Sequence, residues 1–97
     1  MIRDRIREEE LDRATADVAK WIAKRLQEKG WGAFAGPHET YGIIAEEFKE
    51  LLDELQANNP LAFRKELIDI AVACILGMAS ELPEDTSAAI EEGEEKS

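Results

Sequence analysis

Residues 45–71 read AEEFKELLDELQANNPLAFRKELIDIA, with helical apolar spacing on both sides of a short break at Asn58-Asn59-Pro60. Asn59 is a favourable N-cap residue. Pro60 suits the first position of a helix, because its φ is already helical and it has no N–H group to leave unpaired. Since so short a connection joins them, the two segments are predicted to be helices that run antiparallel as neighbours.

The flanking sequence adds one more helix to this hairpin. Residues 4–29 repeat apolar positions at helical spacing, and Gly30 stands where a C-terminal glycine cap is expected. Glycines, a proline and aromatic residues in 30–37 predict an irregular connection. The second helix is predicted at residues 38–57 and the third at 60–81. The sequence therefore predicts an all-α fold, in which the N-terminal helix packs with the hairpin.

One apolar surface of this fold is too large for three helices to cover. The second half of the third helix, residues 70–79, is apolar on every side. We therefore predict a homodimer or homotetramer whose helices form a bundle across a symmetric interface, with a compact monomer as the alternative. The second helix carries a stripe at helical spacing that also predicts a packed face: Tyr41, Ile44, Phe48, Leu51 and Leu55.

Composition limits the protein's class and its partners. A chain of 97 residues predicts one domain over residues 1–83, and the acidic segment 84–97 is predicted to be a flexible tail. The net charge of −10 argues against a nucleic-acid polymer or an anionic membrane as a partner. Cys74 is the single cysteine, which excludes a disulfide framework and favours a structural thiol. With no signal peptide at residues 1–10, a cytoplasmic location is expected.

Two carboxylate pairs flank the break. Glu47 and Glu50 are three residues apart, as are Glu66 and Asp69, so each pair shares a helix face. Glu47 and Asp69 are equally far from Asn58 in sequence, and so are Glu50 and Glu66. An antiparallel hairpin would therefore place Glu47 beside Asp69, and Glu50 beside Glu66 one turn closer to the break. If they converge, their mutual repulsion would be relieved by a divalent cation that prefers oxygen ligands, such as Mg²⁺ or Mn²⁺.

The same acids have an alternative interpretation as a solvated surface. The chain contains 22 acidic residues, so such pairs arise easily, and Lys49, Arg64 and Lys65 are at hand as partners. Asp69 weighs against it, because this residue lies between two isoleucines as the last charge before an apolar run. Such a position favours a specific partner or a metal ion.

The pattern Glu47-Phe-Lys-Glu50, a short turn and Glu66-Leu-Ile-Asp69 before an apolar helix resembles the MazG-like all-α nucleoside triphosphate pyrophosphohydrolases. The resemblance covers residues 38–80, and HETYGIIAEEFKEL is similar to short phage-type members. It implies a helical oligomer in which the four acids hold Mg²⁺. It also implies hydrolysis of an NTP or dNTP to the monophosphate and pyrophosphate. Glu50 is predicted to orient or deprotonate the attacking water.

The resemblance also requires side chains that contact the substrate. The predicted phosphate contacts are Lys24, Arg25 and Lys49. The predicted base contacts are Trp31 and His38. The alternatives are that Trp31 covers the core and that His38 is an ordinary surface histidine.

The chain departs from the family in the helix after the second acid pair. Many members have a polar or basic residue there that contacts substrate, whereas residues 70–79 of this chain are wholly apolar. A second interpretation therefore stays open, in which the protein is a non-catalytic helical interaction module. Such a module could carry a structural divalent metal or none.

Overall fold

A computed structural model of the chain describes residues 5–81 and consists of three α-helices joined by short connections. Helix α1 is Glu8–Lys29, α2 is Pro37–Gln56 and α3 is Pro60–Glu81. These described residues contain no strand, which confirms the all-α prediction. No helix among them is long and apolar enough to cross a membrane. The predicted tail, residues 84–97, lies outside the described part of the chain.

The ends of α1 follow from local hydrogen bonding. At its C-terminus, Gly30 adopts φ 85° and its N–H donates to the Leu26 carbonyl at 2.9 Å, which confirms the predicted glycine cap. At its N-terminus, the Arg7 N–H donates to Glu10 Oε1 at 3.0 Å. This bond satisfies the N–H of Arg7, the N-cap residue. Helix α1 therefore begins at Glu8, later than the predicted start at residue 4.

The connection between α2 and α3 has the turn chemistry that its sequence predicts. Asn58 has φ 56°, a left-handed conformation that asparagine tolerates better than most residues. The Ala62 N–H donates to Asn59 Oδ1 at 3.2 Å, so Asn59 is the N-cap of α3. Pro60 is the first residue of that helix. The tight turn brings α2 and α3 together as antiparallel neighbours.

Helix α3 is the centre of the fold. Both α1 and α2 pack against it, and the described parts of α1 and α2 do not contact each other. An ion pair at 2.9 Å between Arg64 Nη2 and Asp17 Oδ2 links α3 to α1. The buried hydrophobic core of the described residues is small and lies on α3: Ile68, Val72 and Ala73.

Helix α2 approaches α3 closely at Gly77. A Cβ atom at this position would overlap the Thr40 side chain, so only glycine allows the two helices to approach this closely. Thr40 and Gly77 are nearly equally far from Asn58 in sequence. The contact therefore agrees with the register that was predicted for the hairpin.

Three side chains of the apolar stripe of α2 are not packed among the residues that the structure describes, contrary to the prediction. The exposed fractions are 74% for Tyr41, 58% for Phe48 and 60% for Leu55. The face of α2 that meets α3 instead carries Thr40 and Glu47. The physical reason is that α1 and α2 occupy separate faces of α3, so α1 does not lie over these three side chains. The other two residues of the stripe, Ile44 and Leu51, are half-buried.

Candidate metal centre

Three of the four predicted acids converge between α2 and α3. Glu47, Glu66 and Asp69 each offer a carboxylate oxygen, and these atoms all lie within 4.8 Å of one another. Two oxygens on opposite sides of one Mg²⁺ or Ca²⁺ ion are about 4 to 5 Å apart, so the spacing suits a single divalent cation. Glu50, the predicted fourth ligand, is exposed and lies outside this group.

The Glu47 and Glu66 carboxylates are held in an unfavourable environment. Glu47 Oε2 and Glu66 Oε2 are both buried and neither accepts a hydrogen bond. Desolvation, followed by the proximity of Glu47, raises the pKa of Glu66 from 4.5 to about 7. Desolvation also raises the pKa of Glu47; hydrogen bonding with the Glu66 carboxyl opposes this rise, and the charges of Glu50 and Asp69 add to it. Without a cation, Glu66 is therefore about half protonated near neutral pH.

Asp69 has a cationic partner within its own helix. Lys65 Nζ lies 2.6 Å from Asp69 Oδ1. The alternative prediction, that a nearby lysine pairs with the acids, is therefore confirmed for Asp69. The same ammonium lies 4.2 Å from the centroid of the Trp21 ring, and Lys24 Nζ lies 4.5 Å from that centroid. Two ammonium groups, one from α1 and one from α3, thus share one indole beside the acids.

A cavity of about 240 Å³ opens next to the cluster. Glu47 and Asp69 contribute to one part of its lining, and the rest includes four cationic side chains from α1 and α3. An acidic corner beside basic groups is chemically suited to a polyanion with a bound cation. The basic side chains that line it are Lys24, Arg25, Lys29 and Lys65.

The predicted phosphate contacts are therefore divided. Lys24 and Arg25 line the cavity beside the acids. Lys49 is exposed on α2 and does not belong to the lining of this cavity. Sequence reasoning did not assign Lys65 to this cavity, although its position one turn before Asp69 is a signal for an ion pair. It also did not single out Trp21.

The two predicted base contacts lie farther from the acids. Trp31 is 84% exposed and lines a second cavity of about 490 Å³, formed by the α1–α2 connection and the C-terminal half of α3. Arg25 and Lys29 line both cavities, which makes the two cavities neighbours. Arg25 also lies over the Phe34 ring, 5.5 Å from its centroid. His38 is exposed in the first turn of α2.

Comparisons with known proteins add no relative to this description. No protein-family model matches the chain, and searches of the curated proteins and of the solved structures find no match. The MazG-like resemblance therefore stays a prediction from the spacing of the acids. A function for the site has to be argued from its own residues.

Proposed function

We propose that this protein hydrolyses a nucleoside triphosphate, either NTP or dNTP, to the monophosphate and pyrophosphate with the help of Mg²⁺ or Mn²⁺. One observation carries the proposal. Carboxylate oxygens of Glu47, Glu66 and Asp69 lie within 4.8 Å of one another, at a cavity whose lining is rich in lysine and arginine. A triphosphate with its divalent cation needs both an oxygen-rich cation site and cationic phosphate contacts.

The residues present fit such a cation. The described ligand group contains only carboxylates, which favours Mg²⁺ or Mn²⁺ over zinc. Buried oxygens of Glu47 and Glu66 have no hydrogen-bond donor, and a cation would supply the missing partner. When bound, the cation would neutralise phosphate charge and polarise the phosphorus.

The other residues act on the substrate and on water. Lys24 and Arg25 line the cavity and are proposed to bind phosphate oxygens. Glu50 is exposed and outside the ligand group, and it lies close enough to Glu47 for its charge to raise the pKa of that carboxyl. The Glu50 carboxylate is proposed to orient the attacking water and accept its proton. Trp31, in the neighbouring cavity, is proposed to contact the base. The proposal does not depend on Lys49 or His38.

A second, compatible role is supported by the exposed stripe of α2. Tyr41, Phe48 and Leu55 leave large apolar side chains in water, more than a small monomer usually exposes in one row. We propose that the stripe mediates assembly into a homodimer or homotetramer. The non-catalytic alternative is the same assembly without nucleotide hydrolysis.

The proposed activity is tested with a panel of NTPs and dNTPs, each with Mg²⁺ or Mn²⁺, scored for pyrophosphate release. Asp69→Asn keeps the shape of the ligand but removes its charge. We expect it to lower kcat/KM by more than about 100-fold, beyond the usual loss for a residue that only supports a ligand. Asp53→Asn, a matched change at an exposed acid of α2, is expected to retain activity. If the wild-type chain releases no pyrophosphate from any nucleotide, the non-catalytic alternative replaces the proposal.

A further inference from the structure

We propose that Lys65 is an internal counter-ion, which holds Asp69 in the metal-free protein and transfers to a substrate phosphate when a divalent cation takes Asp69. The inference rests on the proposed function for the identity of the cation and the substrate. Its geometric basis is the 2.6 Å contact between Lys65 Nζ and Asp69 Oδ1, at a carboxylate that belongs to the converging group.

The Lys65–Asp69 pair is placed where it can exchange partners. The exposed fractions of the two side chains are 40% for Lys65 and 30% for Asp69, so water can solvate both charges while the pair opens. A pair that is this exposed contributes little free energy and costs little to break. The pair is therefore suited to a reversible role.

The Trp21 ring gives the Lys65 ammonium a contact that does not depend on Asp69. The ammonium lies 4.2 Å from the ring centroid, at a distance where a cation is attracted to an indole face. Lys24 approaches the same ring at 4.5 Å, and both lysines line the cavity. A Lys65 side chain released by Asp69 thus stays at the cavity, beside a second phosphate-binding ammonium.

Competition for Asp69 has a thermodynamic consequence. In the absence of nucleotide, the Lys65 charge repels an incoming divalent cation and weakens its binding. A triphosphate in the cavity offers Lys65 a new partner, so the Lys65 charge no longer opposes binding of the cation. Cation and nucleotide should therefore bind cooperatively, and each should strengthen the binding of the other by the same factor.

The test titrates Mn²⁺ alone into the full chain by isothermal calorimetry. Lys65→Met keeps the length and apolar stem of the side chain but removes its charge. We expect it to bind Mn²⁺ about fivefold more tightly than wild type, the size expected for removing one partly solvated charge. Lys20→Met makes the same change at an exposed lysine of α1 outside the cavity lining and should leave the affinity unchanged. Equal or weaker Mn²⁺ binding by Lys65→Met would overturn the inference.

A second variant and a second readout separate this role from a structural one. Lys65→Arg keeps the charge and the contact with the indole, so its Mn²⁺ affinity should match that of wild type. In a Trp31→Phe background, Trp21 is the only tryptophan. Saturating Mg²⁺ should then change its fluorescence with Lys65 present and leave it unchanged with Lys65→Met. An identical change in both would also count against the inference.

The outcomes distinguish this inference from the proposed function. Tighter Mn²⁺ binding by Lys65→Met without pyrophosphate release from any nucleotide would support the counter-ion and reject the hydrolase. Pyrophosphate release by the wild type, with unchanged Mn²⁺ affinity in Lys65→Met, would support the hydrolase and reject the counter-ion. A wild-type chain that binds no Mn²⁺ with or without nucleotide, and releases no pyrophosphate, would reject both.

Discussion

Glu66 and Glu50 are the same residue type on facing helices, but their surroundings give them different chemistry. Glu66 has a buried oxygen without a hydrogen-bond donor, and desolvation raises its pKa to about 7. Glu50 is exposed. The difference comes from position between the helices, because the side chains are chemically identical. It supports separate proposed roles, with Glu66 as a ligand and Glu50 as the residue that acts on water.

The raised pKa of Glu66 predicts how stability depends on pH in the absence of metal. Between the unfolded value of 4.5 and the folded value of about 7, the folded chain binds the proton more tightly than the unfolded chain. The contribution to the free energy of unfolding is therefore complete below pH 4.5 and is lost as pH rises through about 7. With allowance for partial exposure, we expect a loss of roughly 2 kcal/mol, since one pKa unit corresponds to about 1.4 kcal/mol. Urea denaturation in EDTA across this range measures it.

Two variants isolate the contribution of Glu66 from the general effect of net charge. Glu66→Gln stays neutral at every pH, so most of the specific decrease in stability should disappear. Glu46→Gln changes an exposed glutamate of α2 and should retain that decrease. If the free energy of unfolding of Glu66→Gln fell with pH as steeply as that of wild type, the carboxyl of Glu66 would not be the group responsible.

At the scale of elements, the hairpin depends on a turn and on one close helix–helix approach. Asn58 and Asn59 determine where α3 begins relative to α2. Gly77 determines how near the helices come, since a side chain there would overlap Thr40. The acids lie between these two points on the hairpin, so both features affect how well they converge.

Gly77→Ala is expected to destabilise the protein by about 1 to 3 kcal/mol, because the added methyl group overpacks the contact with Thr40. The matched control is Gly42→Ala in α2, where an added Cβ has no atom within 4 Å. That change should stabilise the helix by roughly 0.5 to 1 kcal/mol. Thermal or urea denaturation measures both. Equal changes in stability in the two variants would contradict the close contact between Gly77 and Thr40.

Insertion of one glycine between Asn58 and Asn59 tests the role of the turn in the site. The insertion shifts the levels at which acids from α2 and α3 meet, while each helix keeps its own sequence. We expect Mn²⁺ binding and pyrophosphate release to be lost, with helical circular dichroism largely retained. A glycine inserted between Gly32 and Ala33 lengthens the other connection and should preserve Mn²⁺ binding. Unchanged Mn²⁺ binding in the first variant would show that the turn does not determine the site.

At the scale of the whole molecule, the described chain is open. Helices α1 and α2 lie on separate faces of α3, and only Ile68, Val72 and Ala73 form its buried hydrophobic core. A domain of this size is marginally stable even with a complete core. The exposed stripe of α2 is the surface that the proposed second copy would cover.

The proposed assembly predicts a dimer or tetramer by light scattering coupled to size exclusion, with a Tm that rises with protein concentration. Phe48→Glu places a charge in the stripe and should shift the protein to monomer and lower the Tm. Gln27→Glu adds the same charge at an exposed position of α1 and should leave the assembly intact. A wild-type monomer at all concentrations would contradict the proposal.

The parts of this protein that could be predicted from sequence are those that depend on local interactions. The Gly30 cap and the Asn59-Pro60 helix start follow from hydrogen bonds and backbone preferences within a few residues. The helix limits were predicted to within a residue or two except at the start of α1, which begins at Glu8 and not at residue 4. The convergence of Glu47 with Asp69 was also predictable, because a short turn restricts the register of an antiparallel hairpin.

The remaining features depend on how each helix is rotated about its axis. That rotation exposes Phe48, keeps Glu50 out of the acidic group and brings Trp21 beneath Lys65. Short-range sequence patterns do not determine it, because it results from packing between side chains that are distant in the chain. The composition of the candidate site is therefore local in origin, whereas its geometry is a tertiary property.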